Sequence, residues 1–283
     1  HAMALITLIA AHLAYGDLPL LDEAHISIEP GERVGLIGRN GTGKSSLLSV
    51  LAGKPMLDDG QLQRMDGLTI HYVEQEPQLP DAPTLKESLI LRGKLAETTD
   101  EREKWRILAK LDENLSHFEL NPNAEPKLTS GGEKKRAALA LAFTLAPQLL
   151  LLDDPTNHLD MRAIRLLEAR SQDELKNQRS LVVITHDRAF LDKVATRIVE
   201  LDRGVLRSYP GNFAACETRK EEELAAEELE RRRFDKFWAQ EEVWIRKGIE
   251  ARRTRNEGRV KRLEQLRRER AASRAQMGSI RMS

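Results

Sequence analysis

The sequence predicts an α/β protein built on a mostly parallel β-sheet and followed by a long α-helical hairpin. Three observations carry this expectation. Through residues 4–212, bounded apolar runs of strand length alternate with amphipathic stretches, as in sheets covered on both faces. One of these runs leads into Gly38–Ser45, GRNGTGKS, after which a helical pattern begins. From Ala215 to Arg274 proline is absent, glycine is sparse and charged residues dominate.

The elements follow in chain order. Arg33–Gly38 (RVGLIG), Leu149–Asp153 (LLLLD) and Ser180–Thr185 (SLVVIT) are the strand runs. The segment SSLLSVLAG after Lys44 reads as a helix, and SGGEKKR, from Ser130, opens an amphipathic one. In the charged region Phe234, Phe237, Trp238, Trp244, Ile245 and Ile249 recur at helical spacing, then Val260, Leu263 and Leu266. Asn256 and Gly258 between the two series are turn formers, so two helices fold back on each other. The first would run roughly 50 Å at 1.5 Å per residue.

Composition narrows the class. At 283 residues the chain holds one large domain or two small ones. Lys and Arg total 45 against 45 Asp and Glu, a balance that hides an uneven distribution. The single Cys216 excludes an internal disulfide and fits a reducing compartment. The most apolar stretch, LALAFTLAPQLLLL, is short and broken by Pro147 and Gln148, which argues against a membrane span. No apolar leader is present, and residues 1–3 read as a cloning scar. The expectation is a soluble, cytoplasmic protein with no membrane partner.

Gly38–Ser45 matches the phosphate-binding loop, Gly, four residues, then Gly-Lys-Ser/Thr. Gly38, Arg39, Asn40, Gly41, Thr42, Gly43 and Ser46 would turn main-chain N–H groups toward phosphates at the positive end of a helix. Lys44 would reach the β and γ phosphates, and the Ser45 hydroxyl would hold Mg²⁺. Asp153, a carboxylate ending a buried strand, is the second Mg²⁺ ligand expected. The alternative, Asp153 capping the turn before Pro155, leaves the four leucines before it unexplained.

The hairpin divides by charge. Its first half is acid-rich, whereas Arg246, Lys247, Arg252, Arg253, Arg255, Arg259, Lys261 and Arg262 crowd the tip. Concentrated arginine is the footprint expected for a phosphate backbone, and a solvated helix pair is the competing reading.

Taken together, Lys44, Gln75 in VEQEP, the Ser130–Arg136 segment, PTNHLD and His186 in ITHDRAFL resemble the ABC ATPase family over residues 4–212. PTNHLD followed by a charged helical linker resembles more narrowly the ABC-F group. The resemblance implies a cassette with a mostly parallel sheet, a helical subdomain over the Glu76–Lys127 interval and an antiparallel β part. It implies ATP and Mg²⁺ as cofactors. It places Tyr15 on the adenine, Gln75 on Mg²⁺ and the γ phosphate, and His186 as the switch histidine. Ser130, Gly131, Gly132 and Glu133 become the signature loop, which faces the ATP of another cassette, and Asn157–Asp160 the D-loop. Lys44, Asp154 and His186 form the catalytic set, with Asp154 standing where glutamate usually orients the attacking water.

Three departures from the family pattern bear on function. The interval before the signature leaves little room for the helical arm of many members. Thr129 and Glu133 replace the usual Leu and Gln, and Asp154 is one methylene shorter than glutamate. The implied organisation is an ATPase domain over 4–212, a helical linker over 213–276 and the start of a second ATPase domain at 277–283. The implied partners are that second domain or a second copy in ATP, and the ribosome and tRNA through the linker. DNA remains an alternative backbone for the same arginines, as does a dimerisation module without useful turnover.

Overall fold

The computed structural model describes residues 3–54, 57–251 and 257–281. Cα packing divides the chain into two compact units, His1–Glu217 and Thr218–Ser283.

The first unit holds two sheets. The strands β1 (Ile6–Tyr15), β2 (Leu18–Ile28) and β4 (Asp59–Arg64) form a three-stranded antiparallel sheet in the order β2-β1-β4. The larger sheet combines β3 (Arg33–Ile37), β5 (Ile70–Val73), β6 (Leu149–Asp153), β7 (Ser180–Ile184), β8 (Arg197–Asp202) and β9 (Val205–Pro210). Its order is β5-β6-β7-β3-β8-β9, parallel except for the last pair.

The leucine run of β6 is explained by having a core on each face. Leu149 and Leu151 pack into the cluster shared with the antiparallel sheet and helix α1 (Lys44–Leu51). Leu150 and Leu152 point into the opposite cluster with α4 (Gly131–Leu145), α5 (Met161–Lys176) and α6 (Arg188–Val194). The period-two geometry of a strand makes this division unavoidable, and Leu181/Val183 against Val182/Ile184 in β7 repeat it. Helices α2 (Leu85–Arg92) and α3 (Glu101–His117) occupy the interval before the signature and contribute Leu85, Leu89, Leu111 and Leu115 to the second cluster.

The second unit comes from α7 (Phe213–Ala251) and α8 (Glu257–Arg281). With 39 residues, α7 is about 58 Å long at 1.5 Å per residue. Gly258, expected in the turn, lies in the first turn of α8 instead. Residues 277–281 continue α8. No described helix is long and apolar enough to cross a membrane.

Candidate functional site

The phosphate loop runs from the end of β3 to the start of α1. Two glycines there are required. Gly38 has φ 151°, and a Cβ would stand 2.6 Å from the Leu201 carbonyl oxygen. Gly43 caps α1 at φ 100°, with Leu20 of β2 so close that a Cβ would meet it at 3.2 Å. The same approach brings the antiparallel sheet against the loop.

Helix α1 begins without a side-chain cap and without an acid in its first turn. Its first N–H groups are therefore left for an external acceptor, and a negative one is favoured at the helix start. Lys44 is only 8 % exposed, and its Nζ donates to the Gly38 carbonyl. Burial lowers the Lys44 pKa, while Asp153 and Asp154 act to keep the ammonium charged. A buried cation facing two carboxylates beside an uncapped helix start fits a nucleotide's phosphates with their divalent ion. Arg39, Asn40, Gly41 and Ser45 are exposed at the rim, and Thr42 and Ser46 are half-buried.

Asp153, 5 % exposed, ends β6. The Tyr72 hydroxyl of β5 lies 3.2 Å from its Oδ2, and burial together with the Asp153 charge pushes the phenol up to about 12. Asp153 therefore has a donor that fixes one oxygen, leaving Oδ1 for a cation. Asp154 follows with φ 50°, in the left-handed region that non-glycine residues seldom adopt. Its N–H donates to the Ile184 carbonyl at 2.8 Å, and its carbonyl accepts from Lys135 Nζ at 2.8 Å. The peptide is pinned from both sides, and the carboxylate is half-buried.

His186, exposed after β7, lies 3.0 Å through Nε2 from the Asn40 Oδ1 of the phosphate loop. The structure thus brings together the loop, Asp153, Asp154 and His186 at the C-terminal ends of β3, β6 and β7. Ligands of open α/β sheets bind at such strand ends. Tyr15 ends β1, 82 % exposed, as an aromatic platform would be. Gln75 sits in an exposed loop after β5, and nothing in its surroundings ties it to the other residues.

The signature stands apart from the loop. Ser130, Gly131 and Gly132 line an open cavity of about 550 Å³ with Arg136, His158 and Asp160, and no phosphate-loop residue borders it. Ser130 caps α4: its Oγ accepts from Glu133 N at 3.2 Å, and Glu133 Oε1 accepts from Ser130 N at 3.4 Å. Glu133 in place of glutamine therefore completes a capping box. The S-x-x-E spacing already carried this signal. Thr129 is buried, with its hydroxyl donating to the Pro126 carbonyl at 2.6 Å.

In the hairpin unit Arg259 and Arg270 are half-buried and paired within it, whereas Arg246, Arg262 and Arg267 are exposed. Arg259 forms a two-pronged pair with Glu241 at 2.7 and 2.9 Å, and its guanidinium lies 3.0 Å from the Trp244 ring centre. Arg270 pairs with Asp235 at 2.9 Å and lies over Trp238, and Arg262 lies over Phe237. Arg246 pairs with Glu242. Of the residues expected at a nucleic acid, Lys247, Lys261 and Arg262 are exposed, whereas Arg259 is half-buried and engaged within the hairpin. Arg252, Arg253 and Arg255 lie outside the described residues. The sequence shows an acid-rich first half but not which of its acids and rings meet an arginine across the hairpin, as Glu241 and Trp244 meet Arg259.

Comparison with known proteins agrees with this geometry. Residues 21–157 match the family described as ABC transporter, and residues 199–282 match a second family with the same description. The chain is similar to ATP-binding protein Uup of Haemophilus influenzae, with 44 % identity over 99 % of this chain and 47 % of that protein. It is 32 % identical to energy-dependent translational throttle protein EttA of Mycobacterium tuberculosis, over 89 % of this chain and 50 % of that one. The chain spans about half the length of the curated relatives it matches. A solved structure described as the ATP binding subunit of an ABC transporter superposes with TM-score 0.66 at 26 % identity, covering 73 % of this chain and 90 % of that one. Cassettes of this family take ATP with Mg²⁺. The chain belongs to the ATP-binding cassette family and, within it, to the ABC-F group.

Proposed function

We propose that the first unit binds MgATP and hydrolyses it slowly, and that nucleotide state switches the protein's association with the ribosome and tRNA. The observation that carries the first part is Lys44, buried between the phosphate loop and the Asp153–Asp154 pair. In this reading Lys44 and the N–H groups of residues 39–46 hold the phosphates, and Tyr15 supports the adenine. Ser45, Asp153 and Gln75 hold Mg²⁺, which offsets phosphate charge when bound. Asp154 orients and deprotonates the attacking water, and His186 exchanges Asn40 for the γ phosphate. An aspartate reaches less far than a glutamate, and a misplacement of about 1 Å costs on the order of 10²-fold in rate.

The signature cavity has no phosphate-loop border, so Ser130–Glu133 serve a nucleotide held by another cassette. That cassette is a further domain of the same protein or a second copy, paired head-to-tail with two-fold symmetry. Translation as the setting is supported by the similarity to the translational throttle protein and by exposed Lys247, Lys261 and Arg262 on the hairpin.

Two titrations test the proposal. MgATP binding by calorimetry should fall at least about tenfold in Lys44→Ala, since a charge-assisted contact is worth about 1.5–3 kcal/mol. Equal affinity in both would refute the phosphate-loop assignment. Binding to ribosomes, tRNA and duplex DNA across a salt series, with and without ATP, should favour ribosomes with ATP. A steeper and tighter response for DNA would replace translation with a DNA-bound role.

A further inference from the structure

Lys135 has no part in the function proposed above, yet at 2 % exposure it is the most buried charged residue among those described. A lysine is rarely buried without a partner of matching strength. It lies five residues after Ser130 on α4, on the same face as Ala138, Leu139 and Ala142, all fully buried. Its neighbours in sequence, Lys134 and Arg136, are only half-buried, and Arg136 donates to the Phe118 carbonyl at 2.8 Å. Lys135 alone of the three reaches inward, and its Nζ donates to the main-chain oxygen of Asp154 at 2.8 Å. Asp153, Asp154 and Glu76 are the charges around it.

The atom it holds belongs to Asp154, a non-glycine residue held in a left-handed backbone conformation. Such a residue costs on the order of 1–3 kcal/mol and persists only where its surroundings over-determine it. Asp154 N–H is fixed by Ile184 and Asp154 C=O by Lys135, so the two bonds together set the φ and the direction of the carboxylate.

We propose that Lys135 is a positioning residue for hydrolysis, whose hydrogen bond to the Asp154 carbonyl aims the Asp154 carboxylate at the attacking water. This rests on the reading of Asp154 as the base. Because Ser130 caps the helix that carries Lys135, the same bond links the helix that begins at the signature to the catalytic base of its own cassette. A displacement of α4 on engaging another cassette's nucleotide would then move Asp154.

The test uses the full-length protein with Lys135→Met, which keeps the apolar stem and removes the donor, and Lys135→Arg, which keeps a charged donor. Hydrogen exchange in the absence of nucleotide should show the Asp154 amide opening at least about tenfold faster in Lys135→Met, with Leu150–Leu152 unchanged. Loss of one bond worth about 1–3 kcal/mol predicts that factor. Single-turnover hydrolysis should slow about 10- to 100-fold while MgATP affinity stays within about threefold, and Lys135→Arg should recover part of both exchange protection and rate. Unchanged exchange and rate in Lys135→Met would overturn the proposal. So would a rate loss matched by equal losses of affinity and melting temperature, since that is a general packing defect. Should Lys135→Met fail to fold, Lys135→Leu, which also lacks a donor, is measured instead under the same criteria. Asp154→Asn runs in parallel: if it leaves the rate unchanged, the base assignment has failed, while the exchange result still reports on the Lys135 bond.

Discussion

The cassette and the hairpin use the same charged residue types in opposite ways. In the cassette, Lys44, Lys135 and Asp153 are buried singly and held by main-chain or phenolic partners, which leaves part of each group for chemistry. In the hairpin, Arg259 and Arg270 lie against carboxylates and indoles of the facing helix, and exposed Arg246 pairs with Glu242 of its own helix. Leu263 is the one fully buried apolar residue among the described ones of that unit, so charge pairs and ring stacking replace a core. The difference teaches that a cluster of arginines identifies a ligand site only after the local acids and rings have been subtracted. By that measure the exposed Lys247 and Lys261 are better candidates for a polyanion than Arg259.

Acid should separate the two units most strongly. His71 of β5 is largely buried, its Nε2 lacks a partner, and burial with nearby Arg92 lowers its pKa from 6.5 to about 4, against the pull of Glu74. The unfolded chain takes up this proton first, so the contribution is fully present above pH 6.5 and is lost as pH falls toward 4. The cost reaches about 3 kcal/mol by linkage. Denaturant unfolding between pH 7 and 4 should show the cassette weakening, and His71→Leu should flatten that slope. A slope unchanged by the substitution would place the acid sensitivity elsewhere.

A second contrast lies in the signature. Glu133→Ala removes half of the capping box and should cost the cassette about 0.5–1 kcal/mol, read as a shift in melting temperature. Glu133→Gln should cost less, because the amide can still accept from Ser130 N. If Glu133→Ala stabilised the protein, the carboxylate would be a liability kept for another purpose.

The smallest effect is expected in the hairpin. Arg259→Ala should speed amide exchange in α7 and α8 around residues 241–263, and moderate salt should do the same in the parent. Nucleotide affinity should not respond. Exchange unaltered by both treatments would mean that apolar and ring contacts hold the helices without the ion pairs.

The strands were legible because β3, β6 and β7 are buried on both faces and so lack any competing polar signal. The phosphate loop was legible because its glycines and lysine are adjacent in the chain. Tyr72 and Lys135 were not, since each acts on a residue far away in sequence, Asp153 and Asp154. Lys135 is also masked by the Lys134–Arg136 run, because residues 137–144 are buried all round α4 and helical phase does not single it out. The antiparallel sheet carried no sequence signal beyond family likeness, because register shifts break the alternation of β1 and β4 has no buried position.

The central claim is that the buried carboxylate pair performs the chemistry, with Asp154 as a base placed slightly short of its optimum. Single-turnover ATP hydrolysis in the assembled full-length protein, comparing Asp154→Asn and Asp154→Glu with the parent, measures it most directly. The account predicts a loss on the order of 10²-fold for asparagine and a faster rate for glutamate, with ATP affinity little changed. A sharp loss with asparagine but no gain with glutamate would contradict the slow-switch reading, and no loss with asparagine would remove Asp154 from the mechanism.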